Sequence, residues 1–350
     1  MAHIWVRAEQ RGQEQRVGVT PHGVRLLMAS GHIVTVEDSA VRAIGIDDYA
    51  ATGCDIAPAH SWADAPDDAI IFGLKELDPD GPDLRHRHIM FGHAYKGQAD
   101  GPDLLRRFKR GGGTLLDLEY LTDPNGRRVA AFGYWAGYAG AAVGLMAYAA
   151  QRNGGQLGAV GAYADKDALV ADLRARLDGV AASNGIVIGA LGRVGSGACD
   201  LLGALGVPVT KWDVEETRSG GPFPEILAHT LFVNCILARP GVPVFVPKSA
   251  VTAPRALRVI ADVSCDPSSD YNPVPIYDHA TSFAEPVIRV AGGDTPLDVM
   301  AIDNLPSMLP VESSQDYAAQ LLPHLSDLDR DPHGVWARAR AVFAEHIEGL

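Results

Sequence analysis

One segment constrains this chain more than any other: a β-branched run that turns over glycines into a helix. In residues 186–202, IVIGALGRVGSGACDLL, a strand runs into Gly189-Ala190-Leu191-Gly192-Arg193-Val194-Gly195 and a helix follows. This GxxGxxG spacing is a variant of the dinucleotide fingerprint. Glycine permits the tight turn and lets the backbone approach a pyrophosphate, and the helix N-terminus offers N–H groups and a positive dipole end. Glycines also mark purely structural strand-to-helix turns, so the order of the neighbours decides. The next strand ends in Lys211-Trp212-Asp213. An acid about 20 positions past the glycines is placed to accept a ribose 2′-hydroxyl and to repel the extra phosphate of NADP. Strand, turn, helix, strand and terminal acid in sequence predict an NAD site, with nearby Arg218 leaving room for NADP.

The rest of the chain repeats the same grammar. HIWVRA (3–8), HIVTVED (32–38), AIIFGLKEL (69–77), HIMFGHAYK (88–96) and TLLDLEYL (114–121) read as strands. Between them, Thr20-Pro21 is an N-cap followed by a first-turn proline, DDYAATG is a short helix, and PDLLRRFKR is helical up to Gly111. After residue 186 further strands are expected at 207–213, 230–237, 257–264 and 286–292, and helices at 313–325 and 335–347. Strands separated by helices imply parallel sheets covered on both faces. A chain of 350 residues exceeds what one core holds comfortably. The fold expected is α/β, with two Rossmann-like doubly wound domains separated by a cleft.

Composition narrows the class of partner. A formal charge of -13 argues against nucleic acid, which needs a basic footprint. Cys54, Cys199, Cys235 and Cys265 have no metal-like or disulfide-like spacing, and MAHIWVRAEQ lacks a signal-peptide core. The expectation is a cytoplasmic enzyme acting on small molecules, with no metal, nucleic acid or membrane partner. Residues 130–150 are uncharged and long enough to span a bilayer. They are mostly Ala and Gly, however, and Gly133, Gly137, Gly140 and Gly144 recur at helical spacing. Such a face admits close backbone approach, which predicts a buried interdomain or intersubunit helix.

Two strands of the N-terminal half end in polar clusters, Lys75-Glu76 and His93-Ala94-Tyr95-Lys96-Gly97-Gln98. Ligands of open parallel sheets sit at the carboxyl ends of strands, so both clusters should face one crevice. A lysine beside a carboxylate has a tunable proton affinity, and histidine is the usual proton shuttle near neutral pH. Either alone reads as a solvated loop residue; both together, in a dinucleotide enzyme, read as proton-transfer groups. Asp117 and Glu119 end a third strand, and Glu119 is a candidate partner of Lys75. Arg7, Arg11 and Arg16, with Arg127 and Arg128, could grip carboxylates in bidentate fashion, or form an ordinary charged loop.

These segments, taken in order, are recognisable. RAEQRGQEQRVGVTP, VEDS, GLKEL, FGHAYKGQ, DLEYL, GRRVAAFGYWAGYAGAA, IGALGRVGSGA, KWDVEET with GGPF, FVNCI, NPVPIYDHAT and IDNLPSMLP together resemble the NAD-dependent, lysine-forming saccharopine dehydrogenases of the fungal lysine pathway. The resemblance runs from Ile4 to beyond Leu322. Alanine dehydrogenases and transhydrogenases share the general layout and the N-terminal basic and Lys-Glu elements.

The resemblance implies oxidation of the secondary amine of saccharopine by NAD, then hydrolysis to lysine and 2-oxoglutarate. It implies that Lys75 accepts the amine proton, that His93 handles protons as water adds and the carbinolamine collapses, and that Glu76 and Glu119 tune the lysine. Arg16 and Arg128 fall on arginines that hold substrate carboxylates, with Lys96, Gln98 and Arg11 beside them. Gly189, Gly192, Arg193, Val194, Gly195, Asp213 and Asp303 fall on the cofactor side. Arg11 stands where a lysine is common, which bears on how the amine is read, and Val194 stands where cysteine can occur. The expected division gives residues 1–128 and 305–350 to the amino-acid substrate and 129–304 to NAD, with crossing segments near 129–149 and 304–320 as hinges. Alternatives are an opine-type or alanine-dehydrogenase-like enzyme with another amine and keto acid, or a silent nucleotide-binding sensor. Monomer and homodimer both remain open.

Overall fold

The apolar runs of the N-terminal half form a six-stranded sheet whose order follows from its short crossovers. In the computed structural model, which describes residues 1–181, 183–328 and 333–350, β1 (His3–Val6) leads to α1 (Pro21–Ala29), β2 (Ile33–Glu37), α2 (Ile46–Ala50) and β3 (Asp55–Ala57). Thr20 caps α1 by accepting the Gly23 N–H at 3.3 Å, with Pro21 in the first turn as its fixed φ favours. Then come β4 (Ile70–Phe72), β5 (Arg87–Met90), α3 (Gly101–Gly111) and β6 (Thr114–Asp117). α3 stops because Gly112 takes a left-handed conformation, φ 76°. All pairings are parallel, in the order β3-β2-β1-β4-β5-β6. The order reverses between β1 and β4, where an open sheet of this kind leaves its binding crevice.

The chain continues through α4 (Gly133–Arg152), α5 (Lys166–Leu177), β7 (Gly185–Ile188), α6 (Arg193–Ala204), β8 (Val209–Trp212), α7 (Val214–Thr217), α8 (Pro224–Leu227), β9 (Leu231–Asn234), β10 (Val259–Asp262), β11 (Ile288–Ala291) and β12 (Leu297–Met300), and ends in α9 (Pro310–Ser326) and α10 (Val335–Glu348). The second sheet has the order β11-β12-β10-β9-β7-β8. It is parallel except for β11, which runs antiparallel to β12 at the edge. The expectation of an all-parallel sheet therefore fails at one strand. β11 and β12 are joined by a short Gly292-Gly293-Asp294-Thr295-Pro296 connection, too brief for the crossover a parallel pair requires. Neither β3 nor β12 stands out in the sequence. Every other strand is shorter than its apolar run, because the polar ends of these runs leave the ladder as loops.

The described residues divide into two units, Met1–Ala131 with Pro310–Leu350, and Phe132–Leu309. In the first, Ile71, Met90, Leu104, Leu105, Phe108 and Leu115 pack with Phe343 of α10. In the second, α4 runs through the middle of a core that includes Leu145, Met146, Leu201, Leu231 and Val259. The glycine face of α4 is thus spent inside its own unit. A Cβ on Gly137 would lie 1.8 Å from the Val194 carbonyl oxygen of α6, and one on Gly197 would lie 1.9 Å from that of Tyr134. Gly140 and Gly144 face Val263, Leu305, Leu231 and Ala261 instead. Mutual glycines let the two backbones meet. No helix of the described residues is long and apolar enough to cross a membrane.

Candidate functional site

The carboxyl edge of the first sheet is closed by buried carboxylates that accept backbone N–H groups. The last residues of a parallel strand have donors the ladder no longer serves, and buried donors must find acceptors. Glu37, at the end of β2, is fully buried and accepts from Trp5 Nε1 (2.9 Å), Ala8 N (2.8 Å) and His60 N (2.9 Å). Glu9, after β1, accepts from Leu74 N (2.7 Å) and Lys75 N (3.0 Å). Asp117, at the end of β6, accepts from Gly92 N (3.2 Å) and Glu119 N (2.9 Å).

Lys75 follows β4, at the reversal of strand order. Beneath its turn lies the Arg7 side chain, which is wholly buried and donates through Nη2 to the Lys75 carbonyl. Gly73 makes room for it, since a Cβ there would meet Arg7 Nε at 2.4 Å. Arg7 is therefore part of the floor of the Lys75 turn rather than an open carboxylate grip. Arg16 is buried too and binds Glu14 through Nε (2.8 Å) and Nη2 (2.6 Å). Burial alone would raise the Glu14 carboxyl, but the hydrogen bonds and charge of Arg16, helped by Lys75, hold it below the usual range. The Lys75 charge thus faces Glu14 on one side. On another it faces His93, whose proton affinity is lowered first by burial and then by Lys75.

His93 has φ 47°, left-handed for a residue with a side chain, which costs on the order of 1–3 kcal/mol. Its Nδ1 is 3.2 Å from Glu76 Oε2, while Glu76 Oε1 receives Arg11. Glu119 lies in the single helical turn after β6 and receives Lys96 Nζ at 2.7 Å. That bond first, and the Glu119 charge with it, holds the Lys96 ammonium above its ordinary affinity. Gln98 accepts the Lys96 N–H at 2.8 Å. Arg128 is exposed, in an isolated antiparallel bridge with Thr122, and its charge reaches Lys96. The edge therefore collects Lys75, Glu76, His93, Lys96, Gln98, Glu119, Arg11, Arg16 and Arg128 from the ends of β1, β4, β5 and β6.

Three members escaped the sequence reading. Glu9 and Glu14 sit in a run of alternating charges that looks like a solvated loop, and their burial is a tertiary fact. Tyr317 of α9 is buried and within reach of the charges of Arg128, Asp117 and Arg16. Its place in the apolar periodicity of α9 reads only as core.

In the second unit, β7 leads into Gly189, which has φ 85°. A Cβ on Gly195 would lie 2.1 Å from the Gly189 oxygen, so only glycine closes this turn. Gly192 meets only that oxygen, at 3.3 Å, and caps α6 with no side-chain hydrogen bond. The first turn of α6 carries Arg193 and Val194, and a helix N-terminus of this kind suits an anionic group. Asp213 follows β8; its carboxylate accepts from Leu191 N (3.0 Å) and Val214 N (2.9 Å), which ties it to the glycine turn. The cradle fits a dinucleotide. Arg218 is engaged with Glu215 on α7, away from the role of a phosphate grip. Asp303 is exposed after β12, its charge felt by Cys265. The described residues contain no cluster of three or more His, Cys, Asp or Glu suited to a metal.

Residues 5–139 match the family described as the alanine dehydrogenase/PNT N-terminal domain. Over nearly its whole length the chain is similar to the saccharopine dehydrogenase [NAD(+), L-lysine-forming] of Neurospora crassa, at 45% identity with 99% of this chain and 97% of the relative covered. The protein of the same description from Candida albicans is 41% identical, with 99% and 97% covered. Among solved structures, an L-alanine dehydrogenase shares the fold with a TM-score of 0.67 and 21% identity, covering 98% of this chain and 93% of that one.

Proposed function

We infer the reaction from a premise that the full-length matches establish: the chain belongs to the family of NAD-dependent, L-lysine-forming saccharopine dehydrogenases. The chain is an oxidoreductase that converts saccharopine, NAD and water to L-lysine, 2-oxoglutarate and NADH, and runs the reductive condensation in reverse. NAD, when bound, supplies the hydride acceptor.

The first unit, with the C-terminal helices, binds the amino-acid substrate, and the second binds the dinucleotide through Gly189, Gly192, Arg193, Val194, Gly195 and Asp213, with Asp303 at the far strand. Asp213 selects NAD, a reading that the Arg218–Glu215 pair supports. Lys75 takes the proton of the secondary amine. His93 takes a proton from the attacking water and returns one to the departing amine. Glu76 keeps His93 and Arg11 in register, and Glu119 does the same for Lys96. Arg16, fixed by Glu14, and Arg128 hold substrate carboxylates, with Gln98 shaping the Lys96 loop. The observation that carries this reading is the place of Lys75: at the reversal of strand order, clamped through its own backbone by Glu9, and facing His93. Four free cysteines and an acidic charge suit the cytoplasm, and a monomer or homodimer would serve.

NADH consumption with 2-oxoglutarate plus lysine, beside 2-oxoglutarate plus ammonia and pyruvate plus lysine, tests the reaction. Fast oxidation confined to the first mixture, with saccharopine as product, is expected. Equal or faster oxidation with another pair would move the enzyme to a different amine and keto acid.

A further inference from the structure

We propose that Asp117 is a positioning residue whose single carboxylate ties the His93 turn to the Glu119 turn, so that the ends of β5 and β6 hold their proton-handling groups in one geometry. The inference rests on the reading of His93 as a proton carrier. Asp117 is 1% exposed and is the last residue of β6, opposite Met90 in the ladder. One oxygen accepts the N–H of Gly92, the residue before His93, and the other accepts the N–H of Glu119, the partner of Lys96. The Gly92 side of the tie needs a glycine, because a Cβ there would lie 2.6 Å from Leu115 Cδ2 and 3.2 Å from Asp117 Oδ2. The residue that follows is the strained one, His93 at φ 47°. Such a backbone conformation persists only where neighbours impose it, and the tie at Gly92 is adjacent to it in sequence.

Both bonds are best served by an ionised carboxylate, which has acceptors on both oxygens and no proton to place between two donors. Burial pushes the carboxyl up to about 6, opposed by the two backbone hydrogen bonds, with the Glu119 charge raising it further and His93 lowering it. The groups that face it are His93 and Tyr95 beyond β5, Glu119 and Tyr120 beyond β6, and Tyr317 of α9; the His346 ring of α10 lies tilted against Tyr95, with centroids 4.3 Å apart. The sign follows: the tie is intact above about pH 6 and slackens as the carboxyl gains a proton below it. The His93 and Glu119 turns should loosen together, because they share one acceptor group.

The test begins with the unaltered protein. With glycine and glutamate labelled with nitrogen-15, the Gly92 and Glu119 amide resonances should titrate with one common midpoint near 6, and independent or absent titration would overturn the proposal. The second arm is Asp117→Asn, which keeps the shape but offers an amide NH2 donor where one acceptor oxygen stood. The His93 imidazole resonance, identified by its loss in His93→Gln, should then titrate about half a pH unit or more lower, because a neighbouring negative charge has gone. With saccharopine and NAD, kcat should fall about tenfold or more with the NAD KM little changed, and the acid limb of the profile should move with His93. An unchanged His93 titration and an unchanged pH profile would remove Asp117 from the mechanism. If the unaltered protein does not oxidise saccharopine, the proposed reaction fails, while the amide and imidazole titrations still decide the role of Asp117.

Discussion

His93 Nδ1 lies 3.2 Å from Glu76 Oε2, and the other oxygen of that carboxylate holds Arg11. One nitrogen of the imidazole is thereby committed, and in the proposed reaction Nε2 is the atom left to exchange protons with substrate or water. Burial and the Lys75 charge lower the affinity of His93 below its ordinary value of 6.5. The neutral base is thus the resting form at pH 7, and activity should be lost as the pH falls below 6.5. A pH profile of kcat for saccharopine oxidation checks this. His93→Gln should lower kcat by roughly 10²–10⁴-fold and abolish that limb.

Lys75→Met should slow hydride transfer by a comparable factor, about 10²–10⁴, while NAD affinity stays nearly intact. Stopped-flow NADH formation with saccharopine, set beside NAD titration by fluorescence, separates the two. Unchanged turnover would take Lys75 out of the proton chemistry.

Asp213→Ala removes an acceptor tied to the glycine turn by the Leu191 N–H at 3.0 Å. The loss of charged hydrogen bonds worth about 1.5–3 kcal/mol should weaken NAD by roughly 10- to 100-fold and narrow the preference over NADP. The ratio of kcat/KM for the two cofactors reads the effect, and a constant ratio would refute the ribose assignment.

Gly137→Ala places a methyl 1.8 Å from the Val194 oxygen, a backbone atom that cannot swing aside. Overpacking of this kind costs about 1–3 kcal/mol or more, and the displaced element is the first turn of α6. Chemical denaturation should show the loss of stability, and NAD binding should weaken by about tenfold or more. Substitution at Gly203, whose Cβ would meet nothing within 4 Å, is the matched control.

His88 is fully buried in β5, its ring at edge contact with Trp62 and Phe108, and neither nitrogen has a hydrogen-bond partner among the described residues. Burial, reinforced by the charges of Arg7, His86 and Arg107, drives its affinity well below 6.5. The unfolded chain then binds a proton that the folded one refuses. Its contribution is complete above pH 6.5 and is lost as the pH falls, by up to about 1.4 kcal/mol per pH unit. Urea midpoints at pH 7.5, 6.0 and 5.0 should fall accordingly, and His88→Leu should flatten the trend.

Much of this organisation is legible without coordinates. Residues 186–195 announce a strand, a glycine turn and a helix because each step there has a steric reason that is local. The Lys75 and His93 clusters are visible as polar ends on apolar strands. What cannot be read locally is pairing. Glu9, Glu14 and Arg7 look like a solvated run, and only the close packing of β1 on β4 turns them into the floor and clamp of the Lys75 turn. β12 is obscured by its brevity, β11 is legible as a strand but not in its antiparallel direction, and Tyr317 is hidden by a helical spacing that any core residue would satisfy. The glycines of α4 disclosed a close approach but not its partner, which lies in the same unit.

The carboxylates that close the first sheet grip main-chain N–H groups, a choice with evolutionary reach. Glu37, Glu9 and Asp117 make contact with atoms that every residue but proline carries. The anchor itself therefore does not depend on which side chains stand at positions 60, 74 and 119, whatever else those side chains do, with Gly92 the exception because Leu115 crowds it. If this edge receives the amine, as proposed, a lineage can retune which amine it admits by exchanging loop residues one at a time on an unchanged backbone frame.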